Sequence, residues 1–299
     1  MGCVLSRAAD PNPDAPPYAM TAEIVTSISE LRARVNAWHA NGARVGLVPT
    51  MGALHDGHLS LVREIGNTTQ KVIVSIFVNP TQFAPHEDFD RYPRNLESDR
   101  AKLAETRADL IFAPAVGEMY PEGFATKVEV GGPSEGLETD FRPHFFAGVA
   151  TVVSKLLLAA MPDAAIFGEK DYQQLLVIRR MVRDLGLAIE IPGGAILREK
   201  NGLAMSSRNA YLKPNERVVA GRLNVILAEA IELAKSGSEI AGIETDAANG
   251  LMRAGFSSVD YVAIRDAETL KPIHSLARPA RILAAAKIGA TRLIDNMAL

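Results

Sequence analysis

Five short, almost wholly apolar stretches, at 44–48, 72–78, 109–113, 164–167 and 187–191, constrain this chain more than any other feature. Between them lie segments whose apolar residues recur at helical spacing, at 58–65, 95–105, 149–160 and 172–185. Strands alternating with helices predict a parallel sheet built from right-handed crossovers. A run such as VIVSIFV carries no polar alternation, so it suits a strand buried on both faces. In open sheets of this kind ligands bind beyond the carboxyl ends of the strands. Candidate functional residues are therefore sought where strands stop.

After about Arg198 the pattern changes. A polar loop, REKNGLAMSSRNAYLK, leads to a long helix that begins near Pro214 and stops at Ser236-Gly237. A second helix is expected at 239–254, then strands at 259–264 and 281–286. The expected fold is α/β: a Rossmann-like parallel-sheet domain at 20–197 and a smaller C-terminal α+β domain at 198–299. A length of 299 residues accommodates both. Residues 1–19 include DPNPDAPP, which suits neither a helix nor a central strand, and are expected to be a disordered tail. Met20 reads as a natural start, with Ile24 and Val25 in a strand and Ser27 or Ser29 capping a helix. The opening MGCVLS matches a myristoylation pattern with Cys3 as a second lipid site, against the plainer reading of an upstream or mis-assigned start.

Charge and cysteine content remove several function classes. The 32 Lys and Arg against 35 Asp and Glu leave a net charge of −3, a poor basis for sequence-independent nucleic-acid binding. One cysteine permits no internal disulfide and no cysteine-based metal cluster, and fits a reducing cytoplasm. No apolar run approaches the length of a membrane span, and VL is too short for a secretory signal.

Four strand ends and loops carry chemistry. The first strand runs into VPTMGALHDGH, which opens onto a helix. Free N–H groups at a helix start favour an anion. His55 and His58, three apart, can face one phosphate and donate to its nonbridging oxygens. The competing reading is a structural or metal-ligating pair, which lacks an evident third ligand. Neither a dinucleotide fingerprint nor a P-loop is present. The second strand ends in SIFVNPTQF, offering Asn79 and Gln82 as neutral groups for hydroxyls and a carboxylate, although Asn-Pro is also an ordinary turn. The fourth ends in FGEKDYQQL. Lys170 stands before a helix start, a natural partner for polyphosphate, with Asp171 as a candidate cap and Gln174 on the same helical face. In GLAMSSRN, Ser206, Ser207 and Arg208 form a polar loop able to close over a triphosphate and exclude water.

These four motifs, in this order, resemble the pantothenate synthetase (pantoate–β-alanine ligase) family, over most of the chain from Met20 to RLIDN at 292–296. The resemblance implies a member of the cytidylyltransferase-like nucleotidyltransferases. It implies that ATP and (R)-pantoate give pantoyl adenylate and pyrophosphate, and that β-alanine then gives pantothenate and AMP. It implies Mg²⁺ with ATP, and a cytoplasmic homodimer without nucleic-acid or membrane partners. It assigns catalysis to His55, His58 and Lys170. ATP would contact these three with Met51 (at the pocket wall), Gly168, Asp171, Met205, Ser206, Ser207 and Arg208. Pantoate would be held by Gln82, Gln174 and Asn79, and Asp171 would lie near ribose or Mg²⁺. One segment departs from the usual L-E-G-x-x-R-P-x-H-F-x-G-V: Thr139 stands for glycine, and Phe145 for histidine, with His144 one residue earlier. Glu138 and Arg142 are kept, as site residues or as a surface ion pair.

Two other function classes remain. A nucleotidyltransferase that stops at the nucleotide conjugate would need only the first motif; product analysis separates it from a ligase. A nucleotide-sensing relative without chemistry is disfavoured by the presence of His55, His58 and Lys170.

Overall fold

The computed structural model describes residues 22–84 and 87–299. The tail, the MGCVLS motif and the start at Met20 lie outside the described residues. The chain begins with β1 (Glu23–Val25), α1 (Ile28–Ala40), β2 (Val45–Thr50), α2 (Asp56–Ile65), β3 (Lys71–Ile76), α3 (Leu96–Leu103) and β4 (Leu110–Phe112). Two single-turn helices follow, α4 (Val116–Met119) and α5 (Glu138–Phe141), then α6 (Phe145–Ala160), β5 (Ala164–Ala165), β6 (Phe167–Gly168), α7 (Tyr172–Asp184) and β7 (Gly193–Gly194).

Strands β1 to β5 form one parallel sheet in the order β1-β4-β3-β2-β5. Its apolar runs are explained by the period of two. Leu47, Ile73, Leu110 and Phe112 point to the face covered by α1, α6 and α7, while Val48, Val72, Val74 and Ile111 point to the face covered by α2 and α3. Each fully buried side chain contributes about 1.5–3 kcal/mol. Ser27 caps α1, with Glu30 completing the reciprocal pair.

Strand β2 extends to Thr50, past the expected end. A proline in a central strand would leave a gap in the ladder. Here β5 pairs only with Gly46 and Leu47. Leu47 presents its carbonyl to Ile166 N–H at 3.0 Å, and Pro49, two residues on, faces the same side, beyond the end of β5. The missing N–H thus falls where the sheet opens. The chain moves from β2 to β3 and β4 on one side, and returns to β5 on the other, so the crevice lies between the loops after β2 and β5.

The segment 187–191, expected as a strand, makes a single bridge from Glu190 to Ala164. Pro192 has no N–H to continue the ladder, and pairing resumes as β6 with β7. The expected long helix is two, α8 (Pro214–Ala220) and α9 (Arg222–Lys235), broken at Gly221. With α10 (Ile240–Ala254) they pack on an antiparallel sheet of β8 (Ser258–Asp266), β9 (Ala280–Ile288) and β10 (Thr291–Ala298), around a second core. The final strand, holding RLIDN, was absent from the expected elements because its inward Asp295 and Asn296 mask the apolar alternation.

Candidate active site

Beyond the carboxyl ends of the parallel strands lies a cleft of about 1080 Å³. Its walls include Met51, His55, His58, Gln82, Gly168, Lys170, Asp171, Gln174, Met205, Ser206, Ser207 and Arg208. Of the thirteen expected site residues, these twelve meet in one cleft, and Asn79 does not.

The β2–α2 turn is built around the histidine pair. His55 is the N-cap of α2, and its Nδ1 accepts the Gly57 N–H at 3.2 Å. His58 Nδ1 accepts the His55 N–H at 3.3 Å. A β-carbon on Gly57 would stand 2.9 Å from His55 Cε1, so glycine lets the ring fold over the helix start. The ring centroids are 4.1 Å apart. Burial, then the Lys170 charge, lowers the His55 pKa to about 4; burial, then His55, holds His58 well below the usual imidazole range. Both rings are therefore neutral near pH 7. A neutral imidazole whose Nδ1 accepts carries its proton on Nε2. Each histidine thus presents an N–H donor, the form that meets phosphate oxygens. The turn itself is held by buried Asp99, which accepts the N–H groups of Ala53 and Leu54 at 2.9 and 2.8 Å.

Lys170 comes from the single 3₁₀ turn between β6 and α7. Its Nζ is 3.7 Å from the Asp171 carboxylate. Asp171 occupies the N-cap position of α7 but its side chain makes no capping bond, contrary to expectation. Its carboxylate is 43% exposed and so is open to the cleft. In the segment before α8, the Ser206 hydroxyl accepts the Arg208 N–H, and Ser207 donates to the Ala53 carbonyl at 3.1 Å, bridging to the histidine turn. The Arg208 guanidinium forks onto Asp88.

Asn79 stands behind the cleft wall, almost wholly buried. Its Nδ2 donates to Gln82 Oε1 at 2.9 Å and to the Gly148 carbonyl at 3.2 Å. Its Oδ1 accepts from Tyr120 at 2.8 Å and from Thr81. With every polar atom engaged, Asn79 orients the Gln82 amide, leaving the Gln82 NH₂ group to face the cleft. Gln174 lines the cleft with no hydrogen bond from its amide to the described residues.

Glu138 and Arg142 are not a surface pair. Their side chains are 8% and 14% exposed, 3.7 Å apart. Arg142 binds Glu87 at 2.7 and 2.8 Å and the Gln82 carbonyl at 3.0 Å. Phe145 lies under that guanidinium at 3.9 Å, and Thr139 donates to the Ser134 carbonyl. The atypical residues thus support the loop that carries Glu138 and Arg142. Glu138 in turn accepts from Tyr261 at 2.9 Å and Arg292 at 2.8 Å, both on the C-terminal sheet. Arg292 also binds Asp260 at 2.7 Å. Sequence reading missed Asp88, Asp260, Tyr261 and Arg292; only the LEGxxRP-like segment and RLIDN pointed toward this network.

Among the described residues no group of three or more His, Cys, Asp or Glu could hold a metal, and no helix is long and apolar enough to cross a membrane.

Comparison with known proteins identifies the family. The model of the pantoate-beta-alanine ligase family matches residues 23–298. The pantothenate synthetase of Mesorhizobium japonicum is 56% identical over 275 residues, covering 92% of this chain and 97% of the relative. That of Paramagnetospirillum magneticum is 56% identical over 274 residues, covering 92% and 96%. The crystal structure of pantothenate synthetase from Thermus thermophilus superposes with a TM-score of 0.86 at 48% identity, covering 92% of this chain and 98% of that one. A pantoate-beta-alanine ligase from Francisella tularensis, complexed with beta-gamma ATP and beta-alanine, gives 0.78 at 32% identity, covering 92% and 97%.

Proposed function

The chain belongs to the pantoate–β-alanine ligase family, and from that premise we propose how its cleft divides the work of ATP-dependent condensation of pantoate with β-alanine. The observation that carries this reading is the convergence of two Nε2–H imidazoles and Lys170 on one side of the crevice, with Gln82 and Gln174 lining the same space.

In the first step a pantoate carboxylate oxygen attacks the α-phosphorus of ATP, and pyrophosphate leaves. His55 and His58 donate to the nonbridging oxygens, where charge grows as phosphorus becomes five-coordinate. Their low pKa keeps them neutral, so they act as fixed donors and not as acids. Lys170 supplies a point charge to the phosphates. Ser206, Ser207 and Arg208 take the β and γ end, with Met205 beside them. Gly168 lets the nucleoside pass close to the backbone, and Met51 forms the pocket wall. Gln82 and Gln174 read the carboxylate and hydroxyls of pantoate, with Asn79 acting through Gln82. In the second step the β-alanine amine attacks the acyl carbon of pantoyl adenylate and AMP leaves. No enzyme nucleophile is needed; positioning and charge stabilisation suffice.

Mg²⁺ fits the donor set as an ion that enters on ATP. It binds phosphates with one or two carboxylates and keeps several waters, and Asp171 offers a single accessible carboxylate. Bound there, it would neutralise phosphate charge. The reading also takes 20–197 as the nucleotide- and pantoate-binding unit and 198–299 as the lid unit. The separate second core supports this division. It takes the working form as a cytoplasmic homodimer, as the family resemblance suggests; Leu158 and Met161, both over half exposed on and just beyond α6, offer an apolar contact.

The deciding experiment is AMP release with pantoate, with and without β-alanine. A ligase makes AMP only with pantoate and turns over steadily only with β-alanine. Steady conversion of ATP to ADP, or AMP formation without pantoate, overturns the reading.

A further inference from the structure

The turn that carries Lys170 is gripped from outside its own domain. Asn296, on β10 and 2% exposed, donates from Nδ2 to two successive carbonyls, those of Glu169 and Lys170, each at 2.9 Å. Its Oδ1 accepts from the Arg281 guanidinium on β9. These partners fix the orientation of the amide, because two carbonyls require the NH₂ group and the guanidinium requires the oxygen. Arg281 also bonds Glu169 Oε2 at 3.1 Å and lies 3.7 Å from the centre of the Tyr172 ring. Residues 169–172 are thus held, by backbone and by side chain, from the C-terminal sheet.

The neighbouring residue faces the other way. Asp295, with its side chain 1% exposed, forms a two-point pair with Arg198 at 2.6 and 2.9 Å, at the junction between the two units. It also accepts the Asn296 N–H at 2.7 Å. One dipeptide therefore ties the junction to the backbone of Lys170. Among the described residues the Lys170 side chain, in contrast, has only the loose 3.7 Å contact with Asp171, so its Nζ is placed by its backbone and not by a partner.

The geometry points to Asn296 as a positioning residue for Lys170, with Arg281 orienting it, so that the second domain sets where the phosphate-binding ammonium stands. The inference rests on the phosphate-binding role proposed for Lys170. Asn296 borders the cleft, but its side-chain amide is taken up by Arg281 and the two carbonyls, so it acts through the lysine. A shift of about an ångström in a charge stabiliser costs up to about a hundredfold in rate.

The test is a double-mutant cycle on pantoyl-adenylate formation, read by rapid quench. Asn296→Ala is expected to lower the adenylation rate between about tenfold and a hundredfold while the pantoate KM stays within about twofold. Lys170→Ala is expected to lower it more, and adding Asn296→Ala to Lys170→Ala is expected to cost little further. If Asn296→Ala does not fold, Arg281→Met keeps the apolar stem, removes the group that orients Asn296, and should give a smaller loss that also vanishes in the Lys170→Ala background. Equal losses with and without Lys170, or adenylation at the normal rate in the single variant, overturn the inference. Full activity of Lys170→Ala instead overturns the role of the lysine itself, a distinct result.

Discussion

The guanidinium of Arg208 is forked onto the carboxylate of Asp88 at 3.1 and 2.9 Å, a bond that spans 120 residues and lies on the wall of the cleft. Burial opposes the charged form of Asp88, but the arginine outweighs it and holds the pKa below the usual range. With Arg208 in the triphosphate-binding role proposed for it, triphosphate oxygens and Asp88 would compete for the same donors. Asp88→Asn is expected to tighten ATP binding by up to about fivefold, the scale of one partly exposed charge pair. Calorimetry at two salt concentrations checks this. Weaker binding would mean that Asp88 presents the arginine and does not compete for it.

Gly148 on α6 packs against the Gln82 turn. A β-carbon there would meet the Thr81 carbonyl oxygen at 2.3 Å and its carbon at 2.7 Å, both backbone atoms unable to swing aside. Gly148→Ala is expected to cost about 1–3 kcal/mol in denaturant unfolding. It should also raise the pantoate KM, because the displaced turn carries Gln82. Wild-type stability would show that the turn yields freely.

Gln82→Ala and Gln174→Ala should weaken pantoate use by about tenfold or more, since a polar substrate group loses its partner, while ATP binding stays within about twofold. Asn79→Ala should reproduce the Gln82→Ala phenotype, because Asn79 meets a residue lining the cleft through the 2.9 Å bond to Gln82 Oε1. An additive Asn79→Ala Gln82→Ala double variant would show that Asn79 reaches pantoate directly.

The histidine pair predicts a pH dependence of the free protein. His55 titrates at about 4 when folded and at 6.5 when unfolded. Well above pH 6.5 both states are neutral and the difference vanishes. As pH falls from 6.5 toward 4 the unfolded chain takes up the proton first, so stability is lost, by about 3 kcal/mol at the limit. Buried His58 acts in the same direction. Denaturant unfolding between about pH 4 and 8 should show this fall, and His55→Gln should flatten part of it. A variant with an unchanged slope would place the proton uptake elsewhere.

The sheet was legible because its strands are buried on both faces, so runs such as 72–78 carry no competing pattern. The meeting of His55, His58 and Lys170 in one cleft was legible because each sits beside a helix start at the end of a strand. That Asn79 lies one layer behind the cleft wall was not legible, because spacing cannot tell a residue that lines a cleft from one that holds its neighbour. What stayed hidden depends on distant partners. Glu138 meets Arg292 across 154 residues, and Asn296 meets Lys170 across 126. Only the folded backbone brings these groups together, and each alone reads as an ordinary solvated side chain.

The proton arrangement on the histidine pair bears on a hazard that any two close imidazoles create. Rings 4.1 Å apart invite chelation of copper, nickel or zinc, which bind through a ring-nitrogen lone pair. Here the Nδ1 lone pairs are already taken by the Gly57 and His55 N–H groups. A transition ion at either Nε2 would push the displaced proton onto Nδ1, setting N–H against N–H in a buried turn. Capture of a stray ion therefore requires dismantling the helix start. The same two backbone bonds that hold both Nε2–H groups as donors thus work against capture of such an ion by the pair.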